Sequence, residues 1–244
     1  MLHKIKRLIN SILTIFGIQI IKAKAGRKIL MDDALWRARE HQISINTIVD
    51  IGAFGGGWSI EAMRYFPQAN FLAFEPLEEK KQELEKLKTK YSNFDFEFAA
   101  AGDNDNSKIL LNVTNDLDGS AVGGKNQGVG RMVPVKRVDT VLQEKNLNGP
   151  YLLKFDTHGY ELPILEGCKN ILKKTNLVII EAYNFNLTDQ SLRFHEMCTH
   201  MEELGFRCYD LAGPVLRMYD NCFWQIDLFF VPNNSELFDF PHSK

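Results

Sequence analysis

The chain has 244 residues, 45% of them apolar and 25% charged, which is ample for one domain with a large hydrophobic core and matches an ordinary soluble protein. A net charge of −2 argues against a body built to hold a nucleic-acid backbone, which shows a basic excess. Cys168, Cys198, Cys208 and Cys222 match no metal or redox spacing and are too few to frame a disulfide scaffold, so a reducing cytoplasm is the expected compartment.

The first 28 residues carry Lys4, Lys6, Arg7, Lys22, Lys24, Arg27 and Lys28 with no acid, a local +7 that leaves −9 on the remainder. Ile5, Leu8, Ile9, Ile12, Ile15 and Phe16 follow helical spacing. The apolar run from Leu8 to Ile21 is interrupted by Asn10, Ser11, Thr14 and Gln19, and its length of about 14 residues falls short of the roughly 20 that a spanning helix needs. The expectation is a basic amphipathic helix, either docked on the body or resting at the periphery of an anionic membrane surface; a cleaved signal peptide is the weaker alternative.

From residue 47 onward, β-rich runs alternate with helical stretches, the pattern of an α/β fold with a mainly parallel sheet. Strands are expected at 47–52, 70–76, 94–100, 151–156, 177–183, 206–211 and 225–231, with helices near 58–66, 78–90, 161–173 and 189–204. No helical segment separates the last two strands, which predicts an antiparallel hairpin at the sheet edge. Residues 102–138 break the rhythm: two β-like runs, KILLNV and MVPVKRV, enclose a polar, glycine-rich stretch, the mark of a lid, a binding loop or an insertion.

The stretch TIVDIGAFGGGWSI, residues 47–60, ends a strand on a carboxylate and continues into glycines. In open α/β sheets, ligands collect at the carboxyl ends of the strands, where glycines let backbone approach closely. A dinucleotide fingerprint would aim helix N–H groups at a pyrophosphate, which Asp50 would repel, and Phe54 fills the position of the second glycine. A carboxylate suits a cationic ligand, and S-adenosyl-L-methionine, with its sulfonium and ammonium groups, is one. Glu75 ends the second strand before Pro76. Its ionised carboxylate accepts two hydroxyl donors at once, matching the vicinal diol of a ribose.

The segments VDIGAFGGGWS, FLAFEP, LLKFDTHGYELPILEG and LVIIEAY resemble the successive motifs of the FkbM-type S-adenosylmethionine-dependent methyltransferases over residues 46–185. KFDTHGYE followed by LEG is the most specific piece. The resemblance implies a class I methyltransferase (Rossmann-like) fold with a mainly parallel seven-stranded sheet, an antiparallel edge hairpin and helices on both faces. It also implies O-methylation of a hydroxyl on a carbohydrate, glycolipid precursor or similar small molecule. Phe54 departs from the small or polar residue common in the loop, and His158 stands where relatives often show Gln or Glu. The chain then divides into residues 1–45, the basic helix and a lead-in helix; 46–232, the catalytic domain; and 233–244, a tail.

Cofactor contacts are expected from Asp50, Gly52, Ala53, Gly56, Trp58 and Ser59 on the first turn, Glu75 and Pro76 on the second, Asp103 after the third strand, and Asp156. Methyl transfer from a sulfonium is an in-line displacement, so the protein has to align donor and acceptor and remove the acceptor's proton. His158, with an ordinary pKa near neutrality, is the expected base, with Asp156 orienting it or accepting the proton itself. Lys154 shares a strand face with Asp156 and needs a carboxylate partner. Glu161 opens the next helix, where an acid suits the dipole, and Asp139 is the expected N-cap of the helix that follows it. Glu181, Tyr183 and Asn184 end the fifth strand and are assigned to the acceptor.

His195 and His200 lie five apart, which is not the spacing of a zinc-protease helix, and no metal ligand set is expected. Two other readings remain: a catalytically silent binding module of the same fold, against which Asp50, Glu75 and Asp156 count, and a nucleotide-dependent oxidoreductase, which Asp50 disfavours.

Overall fold

The computed structural model describes residues 29–123 and 128–239. The expected basic amphipathic helix of residues 1–28 lies outside them. In chain order the elements are α1 (Met31–Glu40), β1 (Thr47–Ile51), α2 (Gly57–Met63), β2 (Asn70–Phe74), α3 (Lys81–Lys90), β3 (Phe94–Glu97), β4 (Ala100–Ala101), β5 (Lys108–Val113), β6 (Ala121–Val122) and β7 (Val129–Lys136). They continue with α4 (Val138–Glu144), β8 (Tyr151–Phe155), α5 (Glu161–Gly167), α6 (Lys169–Leu172), β9 (Thr175–Tyr183), α7 (Phe194–Glu203), β10 (Phe206–Leu216) and β11 (Phe223–Pro232).

Seven strands form the main sheet in the order β10-β11-β9-β8-β1-β2-β3. Pairings among β9, β8, β1, β2 and β3 are parallel, and β11 runs antiparallel to both β9 and β10. The central strands are buried on both faces, so side-chain alternation sorts them into two cores. Val49, Leu153 and Val178 pack with α4, α5, α6 and α7. Ile48, Leu152 and Ile179 pack on the other face with α1, α2 and α3.

Chain order runs outward from β1 to β3 and then returns to β8 on the opposite side, so the order reverses between β1 and β8. Crevices for ligands open at such a reversal, at the carboxyl ends of the strands.

Three expectations are corrected. The strand expected at 94–100 divides: Phe94–Glu97 pairs with β2, while Ala100–Ala101 pairs with β7 in a second, four-stranded sheet of order β4-β7-β5-β6. The polar stretch after β5 contributes β6 to that sheet, whose own core joins Leu77 and Ala100 to Leu111, Val113 and Val133. The helix expected at 161–173 breaks at Cys168, where a Cβ on Gly167 would stand 1.9 Å from the Gly102 carbonyl. Asp139 does not cap its own helix, whose N-cap is Arg137; its carboxylate accepts the Asn170 and Ile171 N–H groups, each at 3.0 Å. It therefore fixes the start of α6.

Candidate active site

The turn after β1 is drawn in toward its neighbours. Gly52 adopts φ +78°, and a Cβ there would lie 2.0 Å from the Asp156 carbonyl oxygen, so no side chain fits. The Gly52 and Ala53 N–H groups donate to the Phe74 carbonyl at 3.0 and 3.1 Å. Phe54, the bulky departure in this loop, has φ 50° and lies under Lys80, whose Nζ sits 3.7 Å from the ring centroid. Its N–H donates to Glu75 Oε2 at 2.7 Å, and the Leu77 N–H donates to Glu75 Oε1 at 2.8 Å. Glu75 thus clasps the glycine turn to the end of β2 while facing a cavity. It is 3% exposed, and burial pushes its carboxyl up to about 7 against those two bonds.

Asp50 and Lys154 are cross-strand neighbours in register. Ser59 Oγ donates to Asp50 Oδ2 at 2.7 Å, and Asp50 Oδ1 has no protein partner, nor has the nearby Trp58 Nε1. Burial raises the Asp50 carboxyl, with Lys154 and Ser59 opposing. Lys154 Nζ reaches Asp156 Oδ2 at 2.5 Å. Burial alone would raise Asp156, but Lys154 and His158 outweigh it and hold the group well below the carboxylate range.

His158 has φ 53°, a left-handed backbone that costs a non-glycine residue about 1 kcal/mol or more. The turn is held by Glu161, which accepts from Gly159 N–H at 2.9 Å and Thr157 Oγ1 at 3.0 Å, and by Thr188 Oγ1 donating to the Gly159 carbonyl at 3.1 Å. The imidazole then lies among acceptors. Its Nε2 is 3.4 Å from Asp156 Oδ1 and 3.5 Å from Glu181 Oε2, and its Nδ1 is 3.4 Å from the Ser120 carbonyl. Burial would lower its pKa; bonds and charge from Asp156 and Glu181 outweigh that and push it up to about 10. The two carboxylates thus favour the protonated ring, whereas a base at this position acts as the neutral one.

Glu181 also accepts from the Tyr183 hydroxyl and from Gln225 Nε2. Tyr183 packs edge-on to both His158 and Trp224.

These residues wall three adjoining cavities. One is lined by Gly52, Phe54, Glu75, Pro76, Leu77 and Ala101, with Tyr160 and residues 117–118 and 120–122. The second is lined by Asp50, Ala53, Gly57, Trp58 and Lys154. The third is lined by Glu181, Tyr183, Leu187, Trp224, Gln225 and Asp118. Asp156 lines all three, and His158 lines the first and third.

Among the residues expected from sequence, Gly56, Ser59, Asp103 and Asn184 do not line these cavities. Ser59 is fully buried behind Asp50, Asp103 is exposed, and Asn184 Nδ2 turns to the Phe223 carbonyl at 3.4 Å. Sequence reasoning missed Asp118, Ser120, Trp224 and Gln225. The polar stretch signalled a binding loop without saying where it docks, and Gln225 reaches the site because it pairs in register with Tyr183.

A sheet of this order, with its crevice at the β1–β8 reversal and acids closing the first two strands, defines a class I methyltransferase fold. A family model described as the methyltransferase FkbM domain matches residues 50–208. The chain therefore belongs to the FkbM methyltransferase family.

Among solved structures it is similar to the methyltransferase FkbM from Methylobacillus flagellatus KT, with 17% identity and a TM-score of 0.49 over 75% of this chain and 43% of that one. It is also similar to the N-terminal domain of EvdMO1, solved in the presence of SAH and D-fucose, with 11% identity and a TM-score of 0.47 over 88% of both chains. A third is the 1,6-didemethyltoxoflavin-N1-methyltransferase of Burkholderia thailandensis with S-adenosylhomocysteine, with 10% identity and a TM-score of 0.47 over 82% of this chain and 77% of that one. No curated protein matches. Among the described residues, no helix is long and apolar enough to cross a membrane.

Proposed function

We propose that this methyltransferase uses S-adenosyl-L-methionine to methylate a hydroxyl of a carbohydrate, glycolipid precursor or similar small molecule. The observation that carries the reading is the meeting of three cavities at Asp156, which gives a donor and an acceptor one shared boundary.

The residues present fit the cofactor. Asp50 Oδ1 and Trp58 Nε1, buried without partners, are an acceptor and a donor suited to the ammonium and carboxylate of its methionine end. Glu75 stands in the adjoining cavity beside Pro76 and Leu77, where its oxygens retain lone pairs for ribose hydroxyls. The cofactor supplies an activated methyl group. The protein's own part is alignment, which accounts for a large share of the barrier in such a displacement. An acceptor hydroxyl in the third cavity meets Asp156 Oδ1 and Glu181 Oε2, the two oxygens nearest His158 Nε2. A hydrogen bond to either would orient it toward the donor side and give its proton a carboxylate to move to as the oxygen takes the methyl group. Tyr183 and Trp224, edge-on at 5.5 Å between centroids, offer an aromatic wall for a sugar ring.

Calorimetric titration with S-adenosylhomocysteine and NAD in parallel tests the reading. Saturable binding of the first and none of the second is expected; the reverse would make the protein a nucleotide-dependent oxidoreductase.

A further inference from the structure

We propose that Asp156, His158 and Glu181 form a divalent-metal site whose open side faces the acceptor cavity, so that the acceptor is held through two adjacent oxygens, as a vicinal diol offers. The proposal rests on the methyltransferase reading for its role, but not for the site itself.

The geometry comes from two separated parts of the chain. Asp156 and His158 follow β8, and Glu181 comes from β9. One ligand atom from each lies within 4.8 Å of the other two. An ion with ligand bonds of about 2.0–2.2 Å holds its ligand atoms roughly 3–3.6 Å apart. Two of the three separations, 3.4 Å from His158 Nε2 to Asp156 Oδ1 and 3.5 Å to Glu181 Oε2, already lie in that range. All three residues are half-buried and line the acceptor cavity.

Each ligand also has the support that metal ligands need from behind. His158 turns its Nδ1 to the Ser120 carbonyl, which leaves Nε2 for the ion. Asp156 is braced by Lys154 through Oδ2, leaving Oδ1 inward. Glu181 is gripped by Tyr183 and Gln225.

Charge is consistent with this. Asp50, Asp156 and Asp227 lie around Lys154, which pairs with Asp156, and Glu181 faces His158 and Asp227. A divalent cation that displaces the proton from His158 takes over the pairing with Asp156 and Glu181.

A mixed set of one imidazole and two carboxylates suits a first-row ion such as Mn²⁺, Co²⁺ or Zn²⁺ better than Ca²⁺, whose sites are built from six to eight oxygens. Three protein ligands leave positions open for substrate oxygens. A metal-bound hydroxyl becomes more acidic, and two bound oxygens fix which of them faces the donor.

The test is titration of EDTA-treated protein with MnCl₂, followed by the electron paramagnetic resonance signal of free Mn²⁺, with ZnCl₂ as competitor. One ion per chain is expected. His158→Gln and Glu181→Gln should each weaken uptake at least tenfold, whereas His200→Gln, on α7 beside Glu203, should leave it unchanged. S-adenosylhomocysteine affinity, measured with EDTA present, separates the two ideas. Absence of uptake by the wild type, or undiminished uptake in a variant that melts cooperatively, overturns the metal site; the methyltransferase reading then stands if S-adenosylhomocysteine binds. Metal uptake without S-adenosylhomocysteine binding supports the site and overturns the role assigned to it.

Discussion

Glu75 should make the stability of this protein depend on pH in a direction opposite to that of most carboxylates. Its carboxyl is 3% exposed, has no ion-pair partner among the described residues, and is raised from an ordinary 4.5 to about 7 by burial. A raised acid contributes its stability in the protonated form. That contribution is complete below the unfolded value of 4.5 and is lost as pH rises through about 7. The separation of the two values corresponds to about 3 kcal/mol, since each pKa unit is worth about 1.4 kcal/mol.

Glu75→Gln removes the ionisation. The amide keeps one acceptor for the Phe54 and Leu77 N–H groups, so the variant also suffers a loss of about 1–3 kcal/mol from the donor left unpaired, and that loss is independent of pH. Urea unfolding of both proteins from pH 5 to pH 8 separates these effects. The stability of wild type relative to the variant should fall by about 2.5 kcal/mol across that interval, the remainder being lost below pH 5. Curves that stay parallel would refute the assignment and place the Glu75 ionisation outside this range. Ribose hydroxyls are donors to an ionised carboxylate, so wild-type affinity for S-adenosylhomocysteine should rise from pH 6 to pH 8, and the variant's should stay flat.

Ser59→Ala leaves the Asp50 carboxylate without its buried donor, so a loss of about 1–3 kcal/mol in stability and weaker S-adenosylhomocysteine binding are expected in melts and calorimetry. Unchanged values in both would mean that Ser59 does not orient Asp50. Gly52→Ala drives a Cβ into the Asp156 carbonyl at a positive φ; thermal melting should drop sharply and calorimetry should show no cofactor binding, and wild-type behaviour in either would mean that the turn is loose. Deleting residues 1–28 should abolish any binding to anionic vesicles while keeping S-adenosylhomocysteine affinity; a truncated protein that is insoluble would instead show this segment to be part of the core.

What the sequence revealed follows from how locally each feature is encoded. Asp50 and Glu75 were legible because an apolar run that stops on an acid marks a strand end, and a strand end in this fold is a crevice edge. Phe94–Ala101 was not, because its apolar character continues across the point where the chain leaves one sheet for the other. Ser59 read as a cofactor contact from its place at the start of a helix; its hydroxyl turns back to Asp50, which spacing does not reveal. His158 shows the limit most clearly. Its proton balance is set by Asp156, two positions away, together with Glu181, 23 positions away in the chain, and the second of these no local pattern supplies.

The way the walls divide along the chain bears on how such a protein changes its target. The cavities assigned to the donor draw mainly on residues 50–77 and 99–122, whereas the acceptor cavity adds 181–187 and Trp224 and Gln225 at the start of the last strand to a wall it shares with the first. Grafting a new 181–187 turn and a new end to the β10–β11 hairpin would reshape the acceptor side while most of the donor side is inherited, with Asp118, Ala121, Asp156 and His158 as the fixed seam between the two.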